Sequence, residues 1–341
     1  MLEGKYEEKR YIAHYNLNVN LFERFDLKVI DVTPIRNVFI ISSDKGDKIL
    51  KKVNYKLDDL EFIYAGIRYI KNKFNRVFDF VKTRDGNIYT MYNGEIYCVM
   101  DLVDGRECDF SNPIEVAITS KGLGELHKAS EGFKYNNLNK NFCGKAINNF
   151  KRKQQETIFF KDIANLHEYK TEFDELFLQN ADNYIKEITN GIKLIEKSNY
   201  YKLCSEDEKI ALCHNDLAHH NILINNDLAY FIDFDYAVID LKVHDLCNFI
   251  NKVVKNFAYN IDMAKSILDD YSKTNDLDKG ELEVLYCMLS FPDDIYSISR
   301  DYYTRRKDWE ENVFFDRLMK KIEAKEDREE FLEDIKVVLG V

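Results

Sequence analysis

Three oxygen-bearing side chains stand at spacings that suit a hard cation and a phosphate: Asp216, Asn221 five residues later, and Asp233 seventeen residues beyond Asp216. Between them, "NILINN" and "LAYFIDFDYAVI" read as two strands separated by Asn225-Asn226-Asp227. A hairpin brings its two ends together, so the three side chains are expected to converge. Phosphoryl transfer needs such a set. One carboxylate orients or deprotonates the attacking hydroxyl, while an amide oxygen and a second carboxylate hold Mg²⁺ against nucleotide phosphates.

The same stretch, "CHNDLAHHNILI", also carries Cys213, His214, His219 and His220, so a metal-site reading competes. The histidines are separated by five, six and one residues, which gives no pair at helical spacing, and no distant Cys or His cluster completes a set of four. Structural zinc is therefore disfavoured.

The elements that must position these residues fall into two kinds. In "LKVIDVTPIRNVFIISSDKGDKILKKV", β-branched runs at 28–33, 38–42 and 47–53 are broken by Pro34 and by a turn at Asp44-Lys45-Gly46-Asp47, which predicts an antiparallel meander. Leu57, Leu60, Ile63, Ile67 and Ile70 then recur at helical spacing, and further strands flank turns at Asp85-Gly86 and Asn93-Gly94. Beyond Gly105 the pattern turns helical, opening on an Asn112 cap with Pro113, and long periodic segments occupy 155–200, 243–272 and 279–340. In the last of these, Ile322, Phe331, Ile335 and Val338 are expected to pack inward. The predicted fold class is α+β and bilobal. Residues 1–100 are read as a β-rich lobe with one helix, 101–105 as a hinge, and 106–341 as a mostly helical lobe carrying one hairpin. A ligand is expected in the cleft between lobes.

Composition narrows the partners. A chain of 341 residues with 45% apolar content can fill a sizeable core, and a net charge of -11 disfavours nucleic acid or an acidic membrane surface. Seven cysteines without a CxxC pair argue for reduced thiols and an intracellular, cytoplasmic setting. The first twenty residues lack the apolar core of a signal peptide, and no apolar run is long enough to span a membrane.

"HNDLAHHNIL" followed by "FIDFD" resembles the paired motifs of the aminoglycoside phosphotransferase and choline kinase branch of the protein-kinase-like fold. More narrowly, "IDFDYAVIDLKVHDLCNFINKVVKN" and "YCMLSFPDDIYSISRDYYTRRKDW" are similar to CotS-type spore coat proteins. The resemblance implies ATP and Mg²⁺ as cofactors, Asp216 as catalytic base, and Asn221 and Asp233 as magnesium ligands. His214 and Asp245 would support the catalytic loop, with Asp235 near the metal and Asp240 a turn or capping carboxylate. In "GDKILKKV", Lys51 corresponds to the phosphate-holding lysine, and Glu61 on the following helix is its candidate partner. "YCVMDLVDG" fits the hinge, where the Asp101 carbonyl and Val103 N–H would meet an adenine edge and Met100 would line the pocket.

One departure stands out: the turn "TPIRNVF", where such folds place a phosphate clamp, has no glycine to let backbone N–H groups approach, which leaves Arg36 or Asn37 as candidate phosphate contacts. Two functions follow. One is a phosphotransferase acting on a hydroxyl of a small molecule, sugar or coat component. The other is a structural coat scaffold with a kinase-like fold, partnered by other spore coat proteins and needing little turnover. The acceptor is not encoded in any motif.

Overall fold

The computed structural model describes residues 17–341, so most of the N-terminal stretch read for an export signal lies outside them. Helix α1 (Val19–Glu23) leads into strands β1 (Val29–Ile35), β2 (Val38–Ser43) and β3 (Gly46–Val53), helix α2 (Leu57–Lys71), and strands β4 (Phe80–Val81), β5 (Thr90–Tyr92), β6 (Glu95–Asp101) and β7 (Arg106–Glu107). Next come helices α3 (Pro113–Ser130), α4 (Ala146–Leu166), α5 (Glu172–Lys197) and α6 (Tyr200–Leu203) and strands β8 (Ile210–Cys213), β9 (Ile222–Asn225), β10 (Leu228–Phe231) and β11 (Val238–Leu241). Six helices close the chain: α7 (Lys242–Val254), α8 (Ile261–Ser272), α9 (Lys279–Leu289), α10 (Asp293–Tyr303), α11 (Glu311–Glu323) and α12 (Lys325–Leu339). They divide into two compact units, one built from the described residues up to 108 with 133–140 and 219–237, the other from 109–132, 141–218 and 238–341.

The first unit is an antiparallel sheet in the order β1-β2-β3-β6-β4, with β5 also on β6. Pro34 does not end β1, as the sequence reading held. It pairs with Phe39 inside an edge strand, where the missing N–H breaks no second ladder. The Asn93-Gly94 turn between β5 and β6 has both residues at positive φ (51° and 82°), the tight hairpin geometry expected of that pair. One sheet face buries Leu50, Tyr97 and Val99 against Phe22, Phe25 and Phe39; the other sets Val53 and Cys98 against Leu60 of α2. The β9–β10 hairpin forms a second sheet with β7 and turns through Asn226 and Asp227, both at positive φ.

In the second unit β8 pairs with β11; the sequence reading had not named β8, and had run the start of β11 into the second hairpin strand, which ends at Phe231. The β8 signal is short, with "IALC" giving only four apolar residues. The periodic stretch 155–200 is two main helices rather than one segment, parted at 167–171. There Thr171 and Asp174 form a reciprocal cap at the start of α5. Along α5, Phe173, Phe177, Ala181, Tyr184, Ile188, Ile192 and Ile195 are buried at steps of three or four residues. Of the inward positions expected in the tail, Phe331 and Ile335 are buried, but Val338 is 38% exposed and Leu339 takes its place at 5%. The stripe advances by whole turns of 3.6 residues, and Leu339 lies four residues past Ile335.

Candidate active site

In the first unit, β3 pairs with β6 so that Lys51 stands opposite Cys98 and on the same side of the strand as Val53. Its Nζ lies 2.7 Å from Asp233 Oδ1 and 2.6 Å from Asp235 Oδ2. Burial opposes the ammonium charge, but the two carboxylates outweigh it and hold Lys51 well above the usual lysine range. Asp235 moves the other way from a typical paired carboxylate. Burial and the neighbouring charge of Asp233 raise it, against the lowering effect of Lys51 and of the Tyr55 hydroxyl that donates to it at 3.0 Å. Asp233 adopts a left-handed conformation with φ 62°, one that aspartate tolerates better than most side chains. Asn221 is buried, and its carbonyl accepts the Ile232 N–H at 3.0 Å, which registers it beside the residue preceding Asp233.

Lys51 and Asp233 are thus brought into contact, with Asn221 just before β9 joined through its backbone to the residue before Asp233. Glu61 is not brought to Lys51: it lies exposed on α2 beside Tyr135, and Asp235 occupies the position of lysine partner. Arg36 is drawn to Glu107 at 2.7 Å, with both side chains about half exposed. At the end of β6, Met100 packs with Val53, Leu60 and Cys98. The Asp101 N–H donates to the Asp79 carbonyl at 2.9 Å, and its carboxylate meets Lys48 at 3.0 Å. Val103, after the end of the strand, is partly buried.

The second unit holds the loop that carries Asp216. Asp245, in the first turn of α7, is fully buried, and its carboxylate accepts the N–H groups of His214 and Asn215, the latter at 2.7 Å. Burial pushes this carboxyl up, but hydrogen bonding from His127 and the backbone donors outweighs burial and keeps it ionised below the usual range. His127 bridges Asp245, at 3.3 Å, and the Tyr271 hydroxyl, at 2.8 Å. The Asp216 N–H donates to His214 Nδ1 at 3.3 Å, so His214 folds back onto its own loop. The Asp216 carboxylate receives Lys252 Nζ at 3.0 Å. Asp240 accepts its neighbour's N–H from Leu241 and pairs with His244 at 2.9 Å, and among the described residues no side chain caps the start of α7.

His127, Cys213 and Asp245 gather closely enough to hold a metal, yet each is committed elsewhere. The Asp245 oxygens face N–H donors, His127 bonds both neighbours, and burial raises the Cys213 thiol, which donates to the Asp240 and Leu241 carbonyls. His219 and His220 stack edge-on, 5.1 Å apart, rather than converging as ligands. Sequence reasoning missed Tyr55, His127 and Lys252. Lys252 had a signal, seven residues after Asp245 and hence on the same side of α7. His127 had none, lying 118 residues before its partner.

A family model described as "Spore coat putative kinase YutH" matches residues 18–335. The chain belongs to that family. It is 23% identical over 305 residues to Spore coat protein S of Bacillus subtilis, covering 88% of this chain and 87% of that protein. An aminoglycoside phosphotransferase from Alicyclobacillus acidocaldarius has a similar structure, with a TM-score of 0.84 at 18% identity over 96% of this chain and 97% of that one. The amicoumacin kinase hAmiN, solved with AMP-PNP, Ca²⁺ and Ami, superposes with a TM-score of 0.62 at 14% identity, covering 96% of each chain. The kinase-like fold expected from "HNDLAHHNIL" and "FIDFD", and the spore coat family expected from "IDFDYAVIDLKVHDLCNFINKVVKN" and "YCMLSFPDDIYSISRDYYTRRKDW", are therefore those of the molecule. Among the described residues no helix is long and apolar enough to cross a membrane.

The donor set fits a metal-nucleotide. Asn221 and Asp233 offer hard oxygen ligands, and the Lys51 ammonium, 13% exposed, pairs with Asp233.

Proposed function

We propose that the chain is an ATP- and Mg²⁺-dependent phosphotransferase whose acceptor is a hydroxyl of a small molecule, a sugar or a coat component. The Lys51 ammonium shared by Asp233 and Asp235 within one unit carries this reading. A surface lysine needs no second carboxylate, whereas one that meets phosphates must be held in place. Bound Mg²⁺ and ATP would supply the transferable phosphoryl group and the charge that neutralises it. Asn221 and Asp233 would hold the ion and Lys51 the phosphates, with Asp235 and Tyr55 fixing the lysine. Met100 and the backbone of Asp101 and Val103 would receive the adenine.

On the acceptor side, Asp216 would orient the attacking hydroxyl and draw off its proton, with Lys252 steadying the carboxylate. Asp245, His214 and His127 keep the loop in shape. Catalysis then comes mainly from positioning. A cavity of about 550 Å³ in the second unit, lined by Asn149, Arg152, His244, Asn248, Asn251 and Phe291, is our candidate acceptor pocket. Asn248 lies between Asp245 and Lys252 on α7, and amides, an imidazole and an aromatic face suit a hydroxyl-rich molecule. We place the protein in the spore coat, alongside other coat proteins, on the strength of its family.

Turnover of ATP against a panel of sugar acceptors, compared between wild type and Asp216→Asn, tests the enzyme reading. Activity should vanish in the variant while its thermal midpoint holds, and unchanged turnover would refute the role of Asp216. The glycine-free turn and the capture of Arg36 by Glu107 favour a second reading, a coat scaffold without turnover. Absence of any ATP- and Mg²⁺-dependent thermal shift would support it.

A further inference from the structure

Of the seven cysteines, Cys98, Cys108, Cys213, Cys247 and Cys287 are buried, and only Cys143 and Cys204 reach the surface in part. These two touch each other across 61 residues of chain. The Cys143 thiol donates to the Cys204 carbonyl at 3.7 Å. Cys204 caps the C-terminus of α6. Hydrogen bonding from Cys143, Gly144 and Tyr200 holds Cys204 below the usual thiol range despite burial and nearby Asp240. Cys143 is pushed the other way, because its proton is engaged by Cys204. The loop that presents Cys143 is fixed by its own bonds. The Asn141 side chain accepts the Cys143 N–H at 3.1 Å, and the Phe142 N–H donates to Ile239 at 2.8 Å.

We propose that Cys143 and Cys204 form a peroxide-reactive dithiol, a modification site separate from the phosphotransfer residues, that closes to an intramolecular disulfide. The Cys204 sulfur attacks one oxygen of hydrogen peroxide, the O–O bond breaks, and the departing hydroxide takes a proton to leave as water. Cys204 is then a sulfenic acid. The Cys143 sulfur attacks it, the S–S bond forms, and the second hydroxide leaves as water with the Cys143 proton. Two thiols and one peroxide give one disulfide and two waters. Phe142, Lys145 and Ala146, which flank Cys143, line the cavity in this unit, so the disulfide would fasten one wall of that cavity to α6.

The test uses the full chain treated with a few equivalents of hydrogen peroxide, blocked with iodoacetamide, and analysed by peptide mass spectrometry. Thiols titrated after denaturation should fall from seven to five, with Cys143 and Cys204 in one cross-linked peptide pair. In Cys143→Ser, dimedone should label Cys204, and in Cys204→Ser no disulfide should form. Seven remaining thiols in the oxidised wild type, or a disulfide joining any other pair, would overturn the proposal. Dimedone labelling of Cys143 in Cys204→Ser at the rate seen for Cys204 would overturn the assignment of the nucleophile.

Discussion

Replacing Asp245 by Ala should destabilise the second unit by about 3–5 kcal/mol, the cost of stripping a buried ionised partner from its donors. The carboxylate is fully buried and accepts from His214 N, Asn215 N and His127 Nε2, so its loss orphans two backbone donors and one imidazole. At about 1.5–3 kcal/mol for each hydrogen bond to a charged group, the two short backbone bonds alone account for that range. Asp245→Asn keeps one acceptor oxygen but turns an NH₂ toward the other donor, and should cost about 2 kcal/mol. The pH dependence follows from the depressed folded-state carboxyl. Its contribution is complete above the unfolded aspartate value of about 3.9, and disappears as pH falls through the lower folded value. Urea unfolding followed by circular dichroism at neutral pH, repeated in acid steps, would show a gap between wild type and Asp245→Ala that is constant near pH 7 and narrows below about pH 4. A gap under about 1 kcal/mol at neutral pH would refute the brace, as would one that does not narrow in acid.

Lys252→Met should leave stability within about 1 kcal/mol, because its pair with Asp216 is more than a third exposed on both sides, while turnover falls; urea midpoints and ATP consumption read the two effects separately. Tyr55→Phe removes the hydroxyl donor to Asp235 and should cost about 1 kcal/mol, measured by urea unfolding, with no loss contradicting that bond. Gly124→Ala should destabilise by about 1–3 kcal/mol despite alanine's better helix propensity. The added Cβ would lie 2.3 Å from Thr274 Oγ1 and 2.7 Å from the Tyr271 carbonyl oxygen, a backbone atom that cannot swing away, and a more stable variant would show that the α3–α8 contact has slack.

Much of this was legible before any coordinates. The β-branched runs around Lys51, the Asn93-Gly94 turn and the stripe from Leu60 to Ile70 are local patterns, and local patterns set local structure. The pairing of Asn221 with the residue before Asp233 was legible because a hairpin is a short-range device that places its ends together from spacing alone. Lys51's choice between Glu61 and Asp235 was not. Both are acidic residues at plausible positions, and only the fold of the loop after β10 brings one of them within 2.6 Å. The same holds for His127 beneath the Asp216 loop and for the contact of Cys143 with Cys204, since neither pairing has a periodicity to betray it. Pro34 illustrates the opposite error, a local breaker overruled because the strand lies at a sheet edge.

The most direct test of the account is calorimetric titration of the full chain with a non-hydrolysable ATP analogue, with and without Mg²⁺, beside Lys51→Met and Asp233→Asn. Wild type should bind in a Mg²⁺-dependent manner, and nucleotide at 100 times Kd should stabilise it by about 2.7 kcal/mol. Each variant should lose most of that binding. No binding to wild type at millimolar nucleotide, or undiminished binding in both variants, would contradict the assignment of Lys51 and Asp233 to a metal-nucleotide site.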